Sequence, residues 1–168
     1  MSSFGLTADE LAFLGANVGP ADTVFEYGTG ETTQFLALWC RYVTAVEHQA
    51  EFARAAMYEA AMAGRTNVSI WWIPTDFPYV EGTDDDGDLA TFRRYIESCS
   101  GRYDVVLIDG RARCEAARWL AERAPFGPDP SMRFFLHDAE RPQYAEVFQL
   151  FREEIRVGRL ALLRMRTE

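Results

Sequence analysis

The chain reads as an α/β protein in three layers, a mostly parallel sheet of seven strands with helices on both faces and an antiparallel hairpin at its C-terminal end. Three observations predict this. Short apolar runs alternate with stretches of helical periodicity from Thr23 onward. Those runs are apolar at consecutive positions, as strands buried on both faces require. The alternation then ends in two strand-like runs joined by Gly158-Arg159, which breaks the parallel rule.

The elements follow in order. Thr7 can cap a helix that starts with Ala8, and Glu10 completes a capping box ahead of the apolar Leu11, Phe13 and Leu14. Gly19-Pro20 stops that helix. Thr23 to Tyr27 is the first strand, Thr32 to Trp39 a helix, Tyr42 to Glu47 the second strand, and Gln49 to Ala63 a helix closed by Gly64. Asn67 to Ile73 is a third strand ended by Pro74. In it Trp71 and Trp72 should face opposite sides and pack in the core, a wall for stacking an adenine being the second reading. Tyr79 to Asp88 turns acidic and reads as a solvated surface loop. Leu89 to Cys99 is helical, Tyr103 to Asp109 an apolar strand, Cys114 to Ala124 helical, Phe126 to Pro130 a rigid turn and Met132 to Leu136 a strand. Gln143 to Phe151 reads as a helix, then Glu154 to Val157 and Leu160 to Met165 as the hairpin strands.

Composition bounds the function. At 168 residues one domain is expected, burying roughly 70% of the surface of its unfolded chain. There is neither an apolar run long enough to span a bilayer nor a signal-peptide pattern, so a cytoplasmic protein with no membrane partner is expected. Three scattered cysteines, Cys40, Cys99 and Cys114, suit buried free thiols better than disulfides or a zinc site. A net charge of −9 argues against nucleic acid. All 17 basic residues are Arg, which excludes chemistry that needs a lysine amine: a Schiff base, a P-loop or a kinase phosphate clamp. Asp84 to Asp88 is no EF-hand loop, because Leu89 and Tyr95 stand where that loop needs Gly and Glu.

In an open parallel sheet, ligands bind beyond the carboxyl ends of the strands. Those ends carry Glu26 to Gly30, Glu47-His48, Thr75-Asp76, Asp109-Gly110-Arg111 and His137-Asp138, so carboxylates and both histidines gather there. The first is Glu-Tyr-Gly-Thr-Gly, followed about 20 residues later by Glu47 at the end of the next strand, a geometry that holds a nucleoside. A tight strand-to-helix turn alone would also use Gly28 and Gly30. Thr33 replaces the third glycine of the dinucleotide fingerprint, which disfavours a nicotinamide-dependent oxidoreductase.

The acid, spacer and glycine pair, with Glu47 and the strand ending in Asp109, resemble the class I S-adenosylmethionine-dependent methyltransferases, from Thr23 to the end of the chain. The resemblance implies their Rossmann-like fold and S-adenosyl-L-methionine as cofactor. Glu26, Tyr27, Gly28, Thr29, Gly30 and Thr32 would lie beside it, Glu47 and His48 at the ribose, and Asp76 and Asp109 along the site. Asp109-Gly-Arg and His137-Asp-x-x-Arg resemble small-molecule members of that group, O-methyltransferases included. That implies methyl transfer to a small-molecule acceptor at oxygen. His137, Asp138 and Arg111 would be catalytic, and Asp109 and Asp138 would hold magnesium or manganese. The same acids also read as helix caps or ion-pair partners. Arg111, Arg113 and Arg141 could grip an anionic substrate or pair with those acids. With no sizeable substrate-capping insertion, the acceptor pocket would be shallow or completed by a second copy, so a homo-oligomer is an expectation. The rival is a noncatalytic S-adenosylmethionine-binding regulatory or interaction protein.

Overall fold

A computed structural model describes residues 5–80, 86–123 and 131–166. Five parallel strands, β1 (Thr23–Tyr27), β2 (Tyr42–Glu47), β3 (Val68–Trp72), β4 (Val105–Ile108) and β5 (Arg133–Leu136), join β6 (Phe151–Val157) and β7 (Leu160–Met165) in one sheet. Its order is β3-β2-β1-β4-β5-β7-β6, with β7 inserted antiparallel beside β5 and β6 at the edge. Because side chains alternate along a strand, each central strand feeds two cores. Val24, Val43, Ala45, Leu107 and Phe135 pack under α1 (Ala8–Ala16) and α2 (Glu31–Trp39), with α3 (Ala50–Met62) alongside α2. Phe25, Val46, Ile108 and Phe134 pack under α4 (Leu89–Glu97), α5 (Arg113–Arg123) and α6 (Val147–Leu150).

The expected capping box of α1 is present: the Thr7 amide donates to Glu10 Oε2 at 2.6 Å, and the Glu10 amide donates to Thr7 Oγ1. Gly64 closes α3 with a positive φ, and Gly158 turns the hairpin the same way. All three cysteines are free, Cys40 and Cys99 buried and Cys114 half-buried. No helix among the described residues is long and apolar enough to cross a membrane.

The structure departs from the sequence reading in three places. Gln143 to Phe151 is not one helix: a 3₁₀ turn at Pro142–Tyr144 precedes the short α6, and Phe151 opens β6. Burial of the Phe151 ring against Phe134, centroids 4.8 Å apart, overrides the local periodicity. Trp71 and Trp72 do not pack in the core. They lie on the outermost strand and stay 45% and 52% exposed. Asp86, expected in a solvated loop, is turned inward and accepts from the Arg113 amide and the Tyr144 hydroxyl. The turn read at Phe126 to Pro130 lies outside the described residues.

The strand order reverses between β1 and β4: from β1 the chain builds outward through β2 to β3, and from β4 the other way to β5. The loops leaving those two strands therefore part company and open a crevice at their carboxyl ends.

Candidate functional site

Two glycines form the floor of the crevice. Gly28 has φ +97°, and a Cβ there would meet Gly110 Cα and N at 3.1 Å. Gly110 needs its missing side chain equally, since a Cβ would stand 1.9 Å from Tyr95 Oη and 3.0 Å from Gly28 N. Each loop is glycine where the other passes. Gly28 was legible from its turn, whereas Gly110 needed the neighbouring loop to be seen, the only local signal being an Asp-Gly pair after a strand.

Glu26 points from β1 into this floor. It is 2% exposed, and its Oε2 has no hydrogen-bond partner among the described residues. Burial pushes its pKa well above the usual carboxylate range; the Thr33 hydroxyl pulls down, while the charges of Asp109 and Glu47 add to the rise. A buried carboxylate with an unfilled oxygen is a seat for a cation. Thr33 Oγ1 also accepts from the Gly30 amide at 3.1 Å, so the threonine in the third glycine's place fills the start of α2. Thr32 is buried in the same turn.

Glu47 ends β2 with its carboxylate held at both oxygens. Oε2 accepts from the amide and hydroxyl of Thr29, each at 3.2 Å. Oε1 accepts from the Gln49 amide at 2.9 Å and lies 2.9 Å from His48 Nδ1. Burial raises its pKa, but the bonds from His48, Gln49 and Thr29 outweigh it and hold the group below the usual range. Of these partners, the Thr29 hydroxyl and His48 are side chains that can rotate away, whereas the two amides are fixed by the backbone. His48 stacks edge-on among Tyr79, Phe92 and Tyr95 beside it.

Asp109 follows β4 with its side chain 18% exposed, and its Oδ1 lies 2.6 Å from His137 Nδ1. His137 itself is 1% exposed. It does not open on the crevice, which contradicts the expected direct role on an acceptor. Its Nε2 faces Glu10 Oε2 at 4.0 Å and Asp138 Oδ1 at 3.9 Å, which ties α1 to the back of the site.

Four further expectations are corrected. Tyr27 turns its side chain into the core and donates to the Ile96 carbonyl at 2.6 Å, so only its backbone borders the crevice. Asp76 is paired with Arg94, whose Nε lies 2.5 Å from Oδ1 and whose amide also donates to it, and that backbone bond chiefly holds its pKa low. Asp138, at φ +55°, is gripped by three arginines: Arg113 at 3.2 Å, Arg141 at 3.0 Å and Arg159 at 3.0 Å. A carboxylate already compensated by three guanidinium charges does not attract a further cation. Among the described residues no cluster of three or more His, Cys, Asp or Glu side chains could hold a metal ion, so the residues do not fit the expected magnesium or manganese site.

For Arg113 the structure selects pairing with the acids over the gripping of a substrate. Arg113 is 8% exposed, and its guanidinium donates to the carbonyls of Asp109, Gly110 and His137 as well as to Asp138. It stitches the exits of β4 and β5 together. Arg111 instead lies over the Tyr79 ring, 5.8 Å from its centroid.

No protein-family model matches the chain, and no curated protein resembles it in sequence at a significant level. Solved structures do match. A methyltransferase-like protein from Silicibacter pomeroyi superposes with a TM-score of 0.75 at 24% identity, over 95% of this chain and 86% of that one. The fold is that of the class I S-adenosylmethionine-dependent methyltransferases. A precorrin-8w decarboxylase from Methanobacterium thermoautotrophicum matches at TM-score 0.61 and 18% identity, over 97% and 92% of the two chains. An rRNA methylase from Streptococcus thermophilus matches at 0.59 and 13%, over 94% of each. Other matches are longer: the chain spans 60% of a dimethyladenosine transferase from Plasmodium falciparum.

Proposed function

We propose that the crevice binds S-adenosyl-L-methionine and that the protein transfers its methyl group to a small-molecule acceptor, at oxygen. The observation that carries this is Glu26: a buried carboxylate, unfilled at Oε2, beside the glycine crossing. The ammonium of the methionine moiety fits it, Glu47 suits the ribose hydroxyls, and the Gly28–Gly110 floor lets the backbone approach the ligand. When bound, the cofactor supplies a methyl carbon made electrophilic by its sulfonium.

The protein's own part is to hold an acceptor in line and to take its proton. Asp109 is the group placed for this. It is partly exposed at the crevice, and an ionised Asp109 takes the proton on its carboxylate, which the His137 Nδ1–H, 2.6 Å from Oδ1, holds in place. A net charge of −9 favours a small acceptor over the nucleic acids named for some structural neighbours.

One observation favours a noncatalytic cofactor-binding protein instead: the exit of β5, where an acceptor would lie, is closed by the ion pairs of Asp138. Calorimetry with S-adenosylmethionine, S-adenosylhomocysteine and NAD tests the binding. Absence of binding by the first two at millimolar concentration overturns the proposal. Methyl transfer to a panel of small phenols and hydroxy acids, lost in Asp109→Asn while cofactor affinity persists, separates the enzyme from the noncatalytic binder.

A further inference from the structure

The two edges of the sheet are built differently. The β6 edge carries Arg152, Glu153, Glu154 and Arg156 and is interrupted by a bulge between Glu153 and Ile155, both devices that discourage another strand from pairing there. The β3 edge, Val68-Ser-Ile-Trp-Trp, has no charge and no bulge, and it pairs only with β2 among the described residues.

The register of β3 shows which of its groups face outward. The Val43 amide donates to the Asn67 carbonyl, and the Ile73 amide donates to the Glu47 carbonyl, so Asn67 and Ile73 turn their backbone groups toward β2. With a period of two, Ser69 and Trp71 do the same, and Val68, Ile70 and Trp72 present theirs to the outside. Pro74, next in that outward series, has no amide to offer and ends the ladder.

The surface around this edge is apolar on both faces. Ser69 and Trp71 share one face with Tyr42, whose hydroxyl meets Ser69 Oγ at 2.7 Å. On the other face, α3 turns Ala56 toward α2, where the Ala56 carbonyl accepts from Gln34, which leaves Met57 and Tyr58 on the flank above β3. Tyr42, Met57, Tyr58, Trp71 and Trp72 are between 38% and 66% exposed. At about 200 Å² for each fully exposed side chain, they present about 500 Å² of surface. That matches the apolar share of a standard interface of about 800 Å² per partner.

We propose that β3 pairs with β3 of a second copy of this chain about a two-fold axis at Ile70, making one continuous sheet. A second copy suits the edge because the outward set Val68, Ile70, Trp72 is symmetric about its middle residue. Ile70 then exchanges bonds with its own equivalent and Val68 with Trp72, about six hydrogen bonds in all. Antiparallel pairing puts the carboxyl ends of the two sheets at opposite ends of the dimer. The two crevices therefore face apart, and this interface does not complete an acceptor pocket.

The test is sedimentation equilibrium joined to amide hydrogen exchange on the whole chain. Twice the monomer mass is expected at tens of micromolar, with Tyr58→Glu and Trp71→Glu each weakening association by at least about tenfold. The amides of Val68, Ile70 and Trp72 should exchange more slowly in concentrated than in dilute protein, while those of Ser69, Trp71 and Ile73 do not change. A monomer at all concentrations, or a dimer whose outward amides stay unprotected, overturns the proposal. Should either variant fail to fold, the exchange pattern of the unaltered protein decides alone.

Discussion

Replacing Gly110 by alanine puts one methyl group at the most crowded point of the crevice floor. Its Cβ would stand 1.9 Å from Tyr95 Oη, 3.0 Å from Gly28 N and 3.1 Å from Tyr27 C. The first contact is far inside any real approach of a carbon and an oxygen. Tyr95 is fully buried against Tyr27 and Phe92, ring centroids 5.4 and 5.8 Å away, so it cannot swing out freely. Overpacking of this kind costs about 1–3 kcal/mol. The Tyr95 hydroxyl makes no well-formed hydrogen bond, only the Arg111 amide lying near it, so Tyr95→Phe alone should be close to neutral. The double variant should recover more than half of the loss, because the worst contact disappears, but not all of it, because the two backbone contacts remain. Urea unfolding of the four proteins gives the cycle, with a coupling of at least about 1 kcal/mol in favour of the pair. A Gly110→Ala cost under about 0.5 kcal/mol, or no rescue by Tyr95→Phe, would refute the argument that the two loops meet here without room for a side chain.

Three other outcomes are expected. Glu47→Ala should weaken S-adenosylhomocysteine binding by about 1.5–3 kcal/mol in calorimetry, whereas Thr29→Val should not weaken it, since in the proposed complex a ribose hydroxyl takes the place of its hydroxyl. Asp138→Asn keeps the left-handed backbone that asparagine tolerates and removes only the charge, so the loss of about 3 kcal/mol expected in urea unfolding reports the buried pair with Arg113; under about 1 kcal/mol would deny it. Arg113→Met should cost at least as much, as it also unties three carbonyls.

How far the sequence reached depends on the range of the interactions. β1, β2 and β7 have the expected bounds, and Thr7 caps α1 as expected, because those signals lie within a few residues of one another. The crevice was legible for the same reason: a parallel sheet gathers the residues that leave its strands at one end, so Glu26, Glu47 and Asp109 are brought there by position alone. The role of each there was not legible. The choice between metal ligand and ion-pair partner for Asp138, and the pairing of Asp76, rest on Arg113, Arg159 and Arg94, brought near only by the fold. His137 read as a ligand or a general base because no local pattern shows Glu10, 127 positions earlier in the chain, closing over it. Trp71 and Trp72 looked like core because nothing in a strand's own residues says that it is the last in the sheet.

Glu26 joins stability to ligand binding, and its sign can be worked out. Its pKa is raised in the folded protein, so the folded state holds that proton more tightly than the unfolded chain, whose glutamates titrate near about 4.3. Stability therefore falls as pH rises from about 4.3 toward the raised folded value, and the full penalty persists above it, at about 1.4 kcal/mol for each unit of separation. Glu26→Gln keeps the shape and the unfilled polar position but never ionises. Its stability relative to the unaltered protein should be least at pH 4, grow through that window and level off beyond it, as read by urea unfolding across pH. The same substitution should weaken S-adenosylmethionine binding at pH 8, because the charge that burial makes costly is the one that a bound ammonium neutralises. A pH-independent difference between the two proteins would remove the buried charge from the account. A stability gain with pH but unchanged cofactor affinity would leave the charge in place and take away its partner.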